Sequence, residues 1–481
     1  MNKQTEQMNT IHRSDARLEE IPRLVVAAVQ GRSGKTTFTI GLQRALRERG
    51  LLLQGFKKGP DYIDPSWSTF ASGVPCRNLD AIMMTREQIL HSFVSHSRDK
   101  DIAIVEGAMG IFDGLDWQGT SSTAELAYVL DAPVVLVVNT TRITRSVAAI
   151  INGVAGFDER IRIGGVVLNQ VARPRHLNIM QKAIEEYCDV PLLGAIPKAK
   201  DVEIPDRHLG LVPAGERDAL QARIDGLAKL VADNVDLDAV LAVAKTASPL
   251  SDPFPQQEMV KIEGKVKIGV FRDRAFSFYY PENLEALEAE GAELVMIDAL
   301  TDTLPDVDAL YIGGGFPEVF AAELEKNVAL RTAVKKASDD GMPIYAECGG
   351  LMYLVRELIS ENNHYQMAGV FDCSVAMEKR PVGLGYAFQR VTEENPFFTA
   401  GSRVVGHEFH HSRVHFPENA LAAHYGFVTE RGKGIAEVDG VLYDGLVTKN
   451  TLATYHHFHA ASSGEWARNF VALARVFYKN K

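Results

Sequence analysis

Two stretches of the sequence combine residue types and spacings that suit catalysis, and the first contains a cysteine between a strand and a helix. Cys348 follows a short apolar run, residues 343–346, and precedes two glycines and a helical pattern at residues 351–358. A thiol on such a sharp turn is available for attack, and the helix N-terminus favours its thiolate form. The sequence therefore predicts a nucleophilic cysteine. The other cysteines are interpreted as small buried apolar residues: Cys76, Cys188 and Cys373.

A thiol nucleophile needs a base and a group that stabilises the negative oxygen formed during attack. Residues 455–459 (YHHFH) offer three histidines that are distant from Cys348 in sequence but can meet it in the fold. Residues 313–315 (GGG) follow another apolar run and can supply backbone N–H donors. A metal site formed by the histidines is the alternative, although no cysteine or carboxylate stands nearby at ligand spacing. The candidates for the oxyanion site are Gly314, Gly315 and Gly349.

The second stretch predicts a phosphate-binding loop. An apolar run at residues 24–29 leads into residues 30–37 (QGRSGKTT), and a helical pattern follows through Arg49. Backbone N–H groups and the helix N-terminus would face the phosphates, Lys35 would neutralise them, and the Thr36 hydroxyl would bind Mg²⁺. A plain glycine-rich turn is the alternative, because Val29 stands where the strict motif has glycine. The candidate nucleotide-binding residues in the loop are Gly31, Gly34, Lys35, Thr36 and Thr37.

Acidic residues in two segments could complete a magnesium site. Glu106 follows the apolar run at residues 102–105, and carboxyl ends of parallel strands are where such sheets bind ligands. Mg²⁺ requires oxygen ligands beyond the loop threonine. Residues 56–65 (FKKGPDYIDP) bring two lysines and two aspartates into ten positions. We interpret this segment as a loop that handles phosphate and magnesium, with a solvated turn as the alternative.

The elements that must position these residues alternate along the chain. Short β-branched runs at residues 24–29, 102–105, 133–138 and 164–168 are each followed by an amphipathic stretch, which predicts a parallel sheet covered by helices. Residues 246–257 contain three prolines and no helical or strand period, and the alternation then restarts at residue 266. We therefore predict a loose N-terminal extension (1–21), an α/β domain (22–245), a linker (246–262) and a second α/β domain (263–481).

Composition excludes several classes of protein. The chain has 481 residues, of which 46% are hydrophobic and 23% are charged, as in globular proteins, and no apolar run is long enough to span a membrane. The formal net charge of −11 argues against a general nucleic-acid binder. Four cysteines without a C-x-x-C pair indicate neither a zinc site nor a disulfide framework, and a cytoplasmic location is expected.

Long segments in a fixed order resemble the cobyrinic acid a,c-diamide synthase family, from residue 24 to the C-terminus. The matching segments in the first half are residues 56–65 (FKKGPDYIDP), 77–80 (RNLD), 106–114 (EGAMGIFDG), 122–126 (STAEL), 165–171 (GVVLNQV) and 207–213 (RHLGLVP). Those in the second half are residues 272–284 (RDRAFSFYYPENL), 313–318 (GGGFPE), 345–351 (YAECGGL), 406–412 (GHEFHHS) and 455–459 (YHHFH).

The resemblance implies a dethiobiotin-synthetase-like P-loop domain followed by a flavodoxin-like class I glutamine amidotransferase domain. The resemblance also implies that Cys348 attacks the glutamine carboxamide and forms a thioester, and that His457 is the catalytic histidine. Gly314, Gly315 and Gly349 would contact the oxyanion and glutamine. Related amidotransferases often carry an acid two residues after the histidine; His459 occupies that position here, which implies a Cys–His dyad.

The released ammonia would reach the first domain, where ATP activates a substrate carboxylate. The resemblance implies that Thr36, Asp61 and Glu106 hold Mg²⁺ and that Lys57 acts on the phosphates with the loop lysine. Asn169 is expected at the adenine edge. ATP and Mg²⁺ are the implied cofactors, glutamine and an anionic tetrapyrrole are the implied partners, and a homodimer is the candidate assembly.

Two departures from the family pattern concern the substrate. The loop reads AVQGRSGKTT, and residues 57 and 58 are both lysine. Cobyrinic acid is the expected substrate, with siroheme or nickel-sirohydrochlorin as the alternatives. A P-loop switch ATPase and a dethiobiotin synthetase-like enzyme are the remaining alternatives, and the Cys348 and His457 half argues against both.

Overall fold

A computed structural model describes residues 18–199, 214–254, 265–417 and 424–481. For residues 214–219 only the helical backbone is described. These residues form two compact units, divided near residue 258. Three predicted segments lie wholly or partly outside the described part: most of the N-terminal extension, the resemblance segment at residues 207–213, and residues 255–262 of the expected linker. None of the described helices is long and apolar enough to cross a membrane.

The N-terminal unit alternates strands and helices. Its strands are β1 (Leu18–Glu19), β2 (Arg23–Ala28), β3 (Leu53–Lys58), β4 (Arg77–Leu79), β5 (Ile102–Glu106), β6 (Val134–Asn139), β7 (Ile163–Val171), β8 (Leu192–Pro197) and β9 (Leu250–Ser251). Its helices are α1 (Lys35–Glu48), α2 (Ile63–Ser72), α3 (Arg86–Ser97), α4 (Thr123–Val129), α5 (Ser146–Ala155), α6 (Pro174–Tyr187), α7 (Ala214–Asn234) and α8 (Leu237–Ala244).

Seven of these strands form one parallel sheet, in the order β4-β3-β5-β2-β6-β7-β8. All residues of β2 and β5 are buried, so both faces of the sheet centre are covered. Such burial explains why these strands are continuous apolar runs and not alternating ones. Helix α1 buries Phe38, Leu42, Ala45 and Leu46 at helical spacing against the sheet. The predicted parallel α/β fold is confirmed.

Two segments without a predicted element contain a short antiparallel pair. Strand β1 lies within the expected N-terminal extension and β9 within the expected linker, and Leu18 and Glu19 pair with Ser251 and Leu250. The prediction of no strand in residues 246–257 was therefore wrong at residues 250–251. A two-residue strand is too short to show an alternating pattern in the sequence. It forms because a partner more than 200 positions away supplies the pairing.

The C-terminal unit is richer in strands. Its strands are β10 (Val266–Phe271), β11 (Phe276–Phe278), β12 (Ala292–Ile297), β13 (Ala309–Ile312), β14 (Gly314–Gly315), β15 (Ile344–Glu347), β16 (Val355–Ser360), β17 (Asn363–Gln366), β18 (Phe371–Met377), β19 (Gly383–Val391), β20 (Arg403–His410), β21 (Ser412–His415), β22 (His424–Arg431), β23 (Ala436–Val438), β24 (Val441–Thr448), β25 (Thr451–Thr454) and β26 (His457–Phe458). Its helices are α9 (Pro281–Ala289), α10 (Ala321–Lys326), α11 (Val328–Asp339), α12 (Gly349–Leu354) and α13 (Trp466–Asn480).

The main sheet of this unit is mixed. Strands β12-β10-β13-β15-β25 are parallel, and the sheet continues through antiparallel strands β24-β22-β19-β20-β26. A smaller sheet has the order β17-β16-β18-β21. The parallel half carries the α/β alternation read from the sequence. The antiparallel half brings β26, near the C-terminus, beside β20.

The helix predicted at residues 351–358 is shorter than expected. Helix α12 ends at Leu354, and residues 355–360 form strand β16. Val355 and Leu358 are fully buried, and their spacing of three suits a helix face as well as a strand with a bulge. Backbone pairing with β17 and β18, the two strands that follow, decides for the strand, because such pairing outweighs the intrinsic propensity of the segment.

Candidate active sites

The phosphate loop joins β2 to α1 in the N-terminal unit, and one glycine is essential to its shape. Gly34 has φ 90°, a left-handed conformation that suits glycine, and precedes the first helical residue, Lys35. A Cβ atom at Gly34 would lie 2.0 Å from Nδ2 of Asn169. No side chain caps this helix start. The backbone N–H groups of the first turn can therefore donate hydrogen bonds to an anionic ligand.

Asn169, expected at the adenine edge, supports the loop from β7. Its Nδ2 donates to the Ser33 carbonyl at 2.9 Å, and its Oδ1 accepts from the Gln170 N–H at 2.9 Å. Both ends of the amide group are thus bonded to protein, and contact with adenine stays a prediction. A cavity of about 250 Å³ lies beside the loop, lined by Val29, Ser33, Val138, Asn139, Thr141 and Ile150 among others.

Predicted residues from three elements meet beside the loop. The Thr36 hydroxyl donates to Oε1 of Glu106 at 2.6 Å, and Nζ of Lys57 donates to the same oxygen at 2.9 Å. Asp64 completes the group, because its Oδ2 pairs with Lys57 and lies 3.3 Å from the Thr36 hydroxyl. We call these four residues the acid–lysine cluster.

Asp64 was missed by the sequence analysis, and Asp61, chosen as a metal ligand, lies at the edge of the cluster. Oδ1 of Asp61 accepts from the N–H groups of Ile63 and Asp64, at 2.7 and 3.2 Å, and Oδ2 is 3.7 Å from Lys57 Nζ. Asp61 therefore shapes the start of α2. The segment at residues 56–65 contains both aspartates, and only the position of α2 shows which one faces Thr36.

Burial dominates the electrostatics of the cluster. Desolvation raises the pKa of Glu106 to about 7, although the ammonium of Lys57 opposes the shift. Burial works against the charge of Lys57, but Glu106, Asp64 and Asp61 together raise its pKa. Desolvation and the neighbouring Lys57 lower the pKa of Lys35, whose Nζ donates to the Met109 carbonyl at 2.6 Å. Lys57 thus neutralises carboxylates that would otherwise repel one another.

The cluster offers oxygen donors that fit Mg²⁺. Thr36 supplies a hydroxyl, and Glu106 and Asp64 supply carboxylates, within hydrogen-bond distance of one another or of the hydroxyl. Across the described residues, no group of three His, Cys, Asp or Glu side chains forms a ready metal cage. Mg²⁺ in phosphate-transfer sites is commonly held by one or two carboxylates together with substrate phosphates, so the donor set is adequate.

In the C-terminal unit, Cys348 lies between β15 and α12 in a strained backbone conformation. Its φ is 48° and ψ is −97°, a combination rare for a non-glycine residue. The backbone N–H donates to the Thr454 carbonyl at 2.7 Å, which ties the turn to β25. The thiol is 3.8 Å from the Phe409 carbonyl. The sharp strand-to-helix turn predicted for a nucleophile is present.

His457 is the histidine that reaches the thiol. It lies on β26, is buried, and hydrogen bonds Cys348. Burial lowers its pKa, but the Cys348 sulfur and then Glu347 outweigh that effect and raise it to about 9. Its ring stacks on His407 at 5.0 Å between centroids. This pair can form an imidazolium–thiolate nucleophile.

The two neighbouring histidines face other groups. His456 is fully buried, and desolvation lowers its pKa to about 3. Nε2 of His459 lies 3.6 Å from Glu282, and its Nδ1 accepts from the Ala461 N–H. Of the three histidines in the YHHFH run, His457 is therefore the one oriented toward the thiol. The spacing in the sequence did not distinguish among them.

The glycines predicted for an oxyanion site surround the thiol–imidazole pair. A Cβ at Gly314 would lie 2.5 Å from Cε1 of His457, and one at Gly349 would lie 3.0 Å from the Gly315 N. Gly313, the first glycine of the GGG run, donates its N–H to the Tyr279 hydroxyl at 2.7 Å and so does not serve as an open donor. Gly314, Gly315 and Gly349 stay the candidates.

Glu347 is a second residue that the sequence analysis missed. It directly precedes Cys348, is fully buried, and its Oε2 lies 3.7 Å from Nδ1 of His457. Related amidotransferases often carry an acid two positions after the histidine, where this chain has His459. Only the pairing of β15 with β25, and the path from there to β26, brings Glu347 to the imidazole.

Comparisons with known proteins match both units. Residues 24–212 match the profile of the CobQ/CobB/MinD/ParA nucleotide binding domain, and residues 267–465 match the CobB/CobQ-like glutamine amidotransferase domain. A relative from Magnetococcus marinus, named cobyrinate a,c-diamide synthase, is 43% identical over 93% of this chain and 96% of its own. Relatives with the same name from Archaeoglobus fulgidus and Dehalococcoides mccartyi are 43% and 40% identical, each over 95% of this chain and over 98% and 99% of their own.

Replacement of Lys57 by methionine is predicted to destabilise the N-terminal unit. The change keeps the apolar stem but leaves Glu106 and Asp64 without their cation, so the free energy of unfolding should fall by about 3 kcal/mol. Urea titration measures the loss, and hydrogen exchange with mass spectrometry should show faster exchange in β3 and β5. Lys229→Met is the control, because Lys229 pairs with Asp233 at the surface and should not move the midpoint. An unchanged midpoint for Lys57→Met would contradict the electrostatic account.

Proposed function

The chain belongs to the cobyrinate a,c-diamide synthase family, and we propose that it uses ATP and glutamine to convert the a and c acetate carboxylates of cobyrinate into carboxamides. One observation carries the proposal: a buried thiol–imidazole pair and a phosphate loop with an acid–lysine cluster occur on one chain, in the two units that match the amidotransferase and nucleotide-binding profiles. We assign the synthetase half to residues 22–245 and the amidotransferase half to residues 263–481.

In the amidotransferase half, the Cys348 sulfur attacks the carboxamide carbon of glutamine. The carbonyl oxygen gains negative charge, which the N–H groups near Gly314, Gly315 and Gly349 would stabilise. His457 gives its proton to the departing nitrogen, ammonia leaves and a thioester remains. Water then attacks the thioester, glutamate is released and the thiol is restored. A raised pKa keeps the His457 proton available at neutral pH.

In the synthetase half, the substrate carboxylate must be activated, because an ionised carboxylate is a poor electrophile. A carboxylate oxygen attacks the γ-phosphorus of ATP, ADP leaves, and ammonia then displaces phosphate from the acyl phosphate. The role of the protein is to position the groups and neutralise charge. Lys35 and the first turn of α1 would contact the phosphates, with Gly31, Gly34 and Thr37 shaping the loop.

The acid–lysine cluster would hold the magnesium that accompanies ATP. When bound, Mg²⁺ screens the phosphate charge. Thr36, Glu106 and Asp64 would supply its protein ligands, and Asp61 would orient the start of α2 behind them. Lys57 lies within reach of the same oxygens, so it can neutralise either the carboxylates or an incoming phosphate. Asn169 would keep the loop in its binding shape.

Replacement of Cys348 by serine is expected to remove the use of glutamine and to preserve activity with added ammonium. Only the thioester step is lost, because the hydroxyl is a much weaker nucleophile. Product formation is measured with glutamine and with ammonium chloride as separate nitrogen sources. Cys373→Ser, at a buried cysteine of the same unit, is the matched control and should keep both activities. Glutamine-driven turnover at the parental rate in Cys348→Ser would refute the role of the thiol.

Replacement of Lys35 by alanine should abolish amidation with either nitrogen source, since phosphate binding precedes both. Glutamine hydrolysis in the same preparation shows that the C-terminal unit is folded, and a urea titration compared with the parent shows whether the N-terminal unit is folded. Lys229→Ala, at an exposed lysine of the same unit, is the control and should retain amidation. Ammonium-driven turnover of Lys35→Ala near the parental rate would exclude the phosphate-binding role.

The substrate is tested by mass spectrometry with purified protein, Mg-ATP and glutamine. Cobyrinic acid and siroheme are offered in parallel, and each amidation lowers the mass by about one dalton through the amide-forming chemistry. Two steps on cobyrinic acid alone support the proposal. Two steps on siroheme alone would keep the reaction and overturn the substrate. No step on either, with glutaminase activity present, would exclude both tetrapyrroles.

A further inference from the structure

A catalytic imidazole works best when a second group fixes its orientation and its tautomer. The acid that related amidotransferases carry two residues after the histidine is replaced here by His459, which faces Glu282. The position at which related amidotransferases carry the orienting carboxylate therefore provides none for His457. The structure supplies a carboxylate from another element, the end of β15.

We propose that Glu347 positions the imidazole of His457. A Glu–His–Cys triad is then formed by two consecutive residues, Glu347 and Cys348, and one histidine. Oε2 of Glu347 lies 3.7 Å from Nδ1 of His457, and both side chains are almost completely buried. With Nδ1 turned to the carboxylate, Nε2 is left for the thiol of Cys348. The proposal rests on the proposed function, because it concerns the glutamine-hydrolysing half of that reaction.

The carboxylate is itself held in place. Its Oε1 accepts from the Phe458 N–H at 3.3 Å, and the Tyr311 hydroxyl is 3.4 Å from Oε2. Phe458 is the residue after His457, so one carboxylate contacts both the backbone and the imidazole of β26. A buried carboxylate is costly unless it is paired, and an imidazolium at His457 provides the compensating charge.

The backbone strain at Cys348 explains how adjacent residues can act on one imidazole. In a regular strand, successive side chains point to opposite faces of the sheet. Glu347 ends β15 and Cys348 turns away with φ 48°, so the second side chain leaves the strand geometry. Carboxylate and thiol can therefore approach His457 from different sides. A purely structural role for Glu347, as acceptor of the Phe458 N–H, is the competing explanation.

Glu347→Gln in the full chain separates the two roles. The amide keeps the volume and one oxygen for Phe458, but it carries no charge for the imidazole. We expect kcat for glutamine hydrolysis to fall at least about 10- to 100-fold, the loss found when the hydrogen-bond partner of a metal-ligating histidine is removed. KM for glutamine should change little, and ammonium-driven amidation should stay at the parental rate. A kcat within about twofold of the parent would overturn the proposal.

Asp308→Asn is the matched control, because Asp308 is a buried carboxylate at the opposite end of the neighbouring strand β13 and accepts a hydrogen bond from the Lys267 N–H. It should leave glutamine hydrolysis unchanged. If the Gln variant fails to fold, Glu347→Asp and Glu347→Ala are compared instead: the Asp variant retains the charge, withdrawn by one methylene, and should have a higher kcat than the Ala variant. Full parental kcat in the Asp variant, together with equal kcat in Ala, would refute the role. A parent chain without glutaminase activity would refute the proposed function instead.

Discussion

The register of paired strands is the constraint on which both candidate sites depend. Lys57 and Glu106 are register partners on β3 and β5, so their side chains leave the sheet at the same edge and level. Asn139 and Asn169 are partners in the same way on β6 and β7. In the other unit, Glu347 pairs with Thr454, and His407 pairs with His457 on antiparallel strands. A shift of one residue in any of these pairs would turn the functional side chain to the other face.

Burial then gives the aligned residues their chemistry. Glu106 and Lys57 are both nearly inaccessible, and each is tolerated because the other is present. The same low polarity strengthens the field of Glu347 at His457, and together with the Cys348 sulfur this field outweighs desolvation. In both units a strained or left-handed residue stands at the turn after a strand, Gly34 in one and Cys348 in the other. A helix begins directly after each of these residues.

The division of labour between the units follows from their different needs. Phosphoryl transfer requires backbone N–H donors and a neutralised anion site, which a loop between β2 and α1 and the acid–lysine cluster supply. Amide hydrolysis requires a nucleophile, a proton carrier and oxyanion donors within a few ångströms, and the candidates for these roles lie on β14, on the turn between β15 and α12, at the start of α12 and on β26. The mixed sheet of the second unit serves this purpose, because its antiparallel half brings the C-terminal histidine run beside the cysteine turn.

The sequence by itself determined the two α/β cores, the strand–loop–helix that holds Lys35 and Thr36, the turn that holds the candidate nucleophile Cys348, and the run that holds His457. These features depend on local signals, since strand runs, glycine turns and helix starts are read within a few residues. Tertiary structure alone decided that Asp64 faces Thr36 while Asp61 shapes a helix start, that residues 355–360 are a strand, and that Glu347 reaches His457. The positions of Asp64 and Glu347 depend on contacts between residues far apart in the chain, and the strand at residues 355–360 depends on pairing with the two strands that follow it. The register and burial that create such contacts are properties of the assembled sheet, so no local pattern records them.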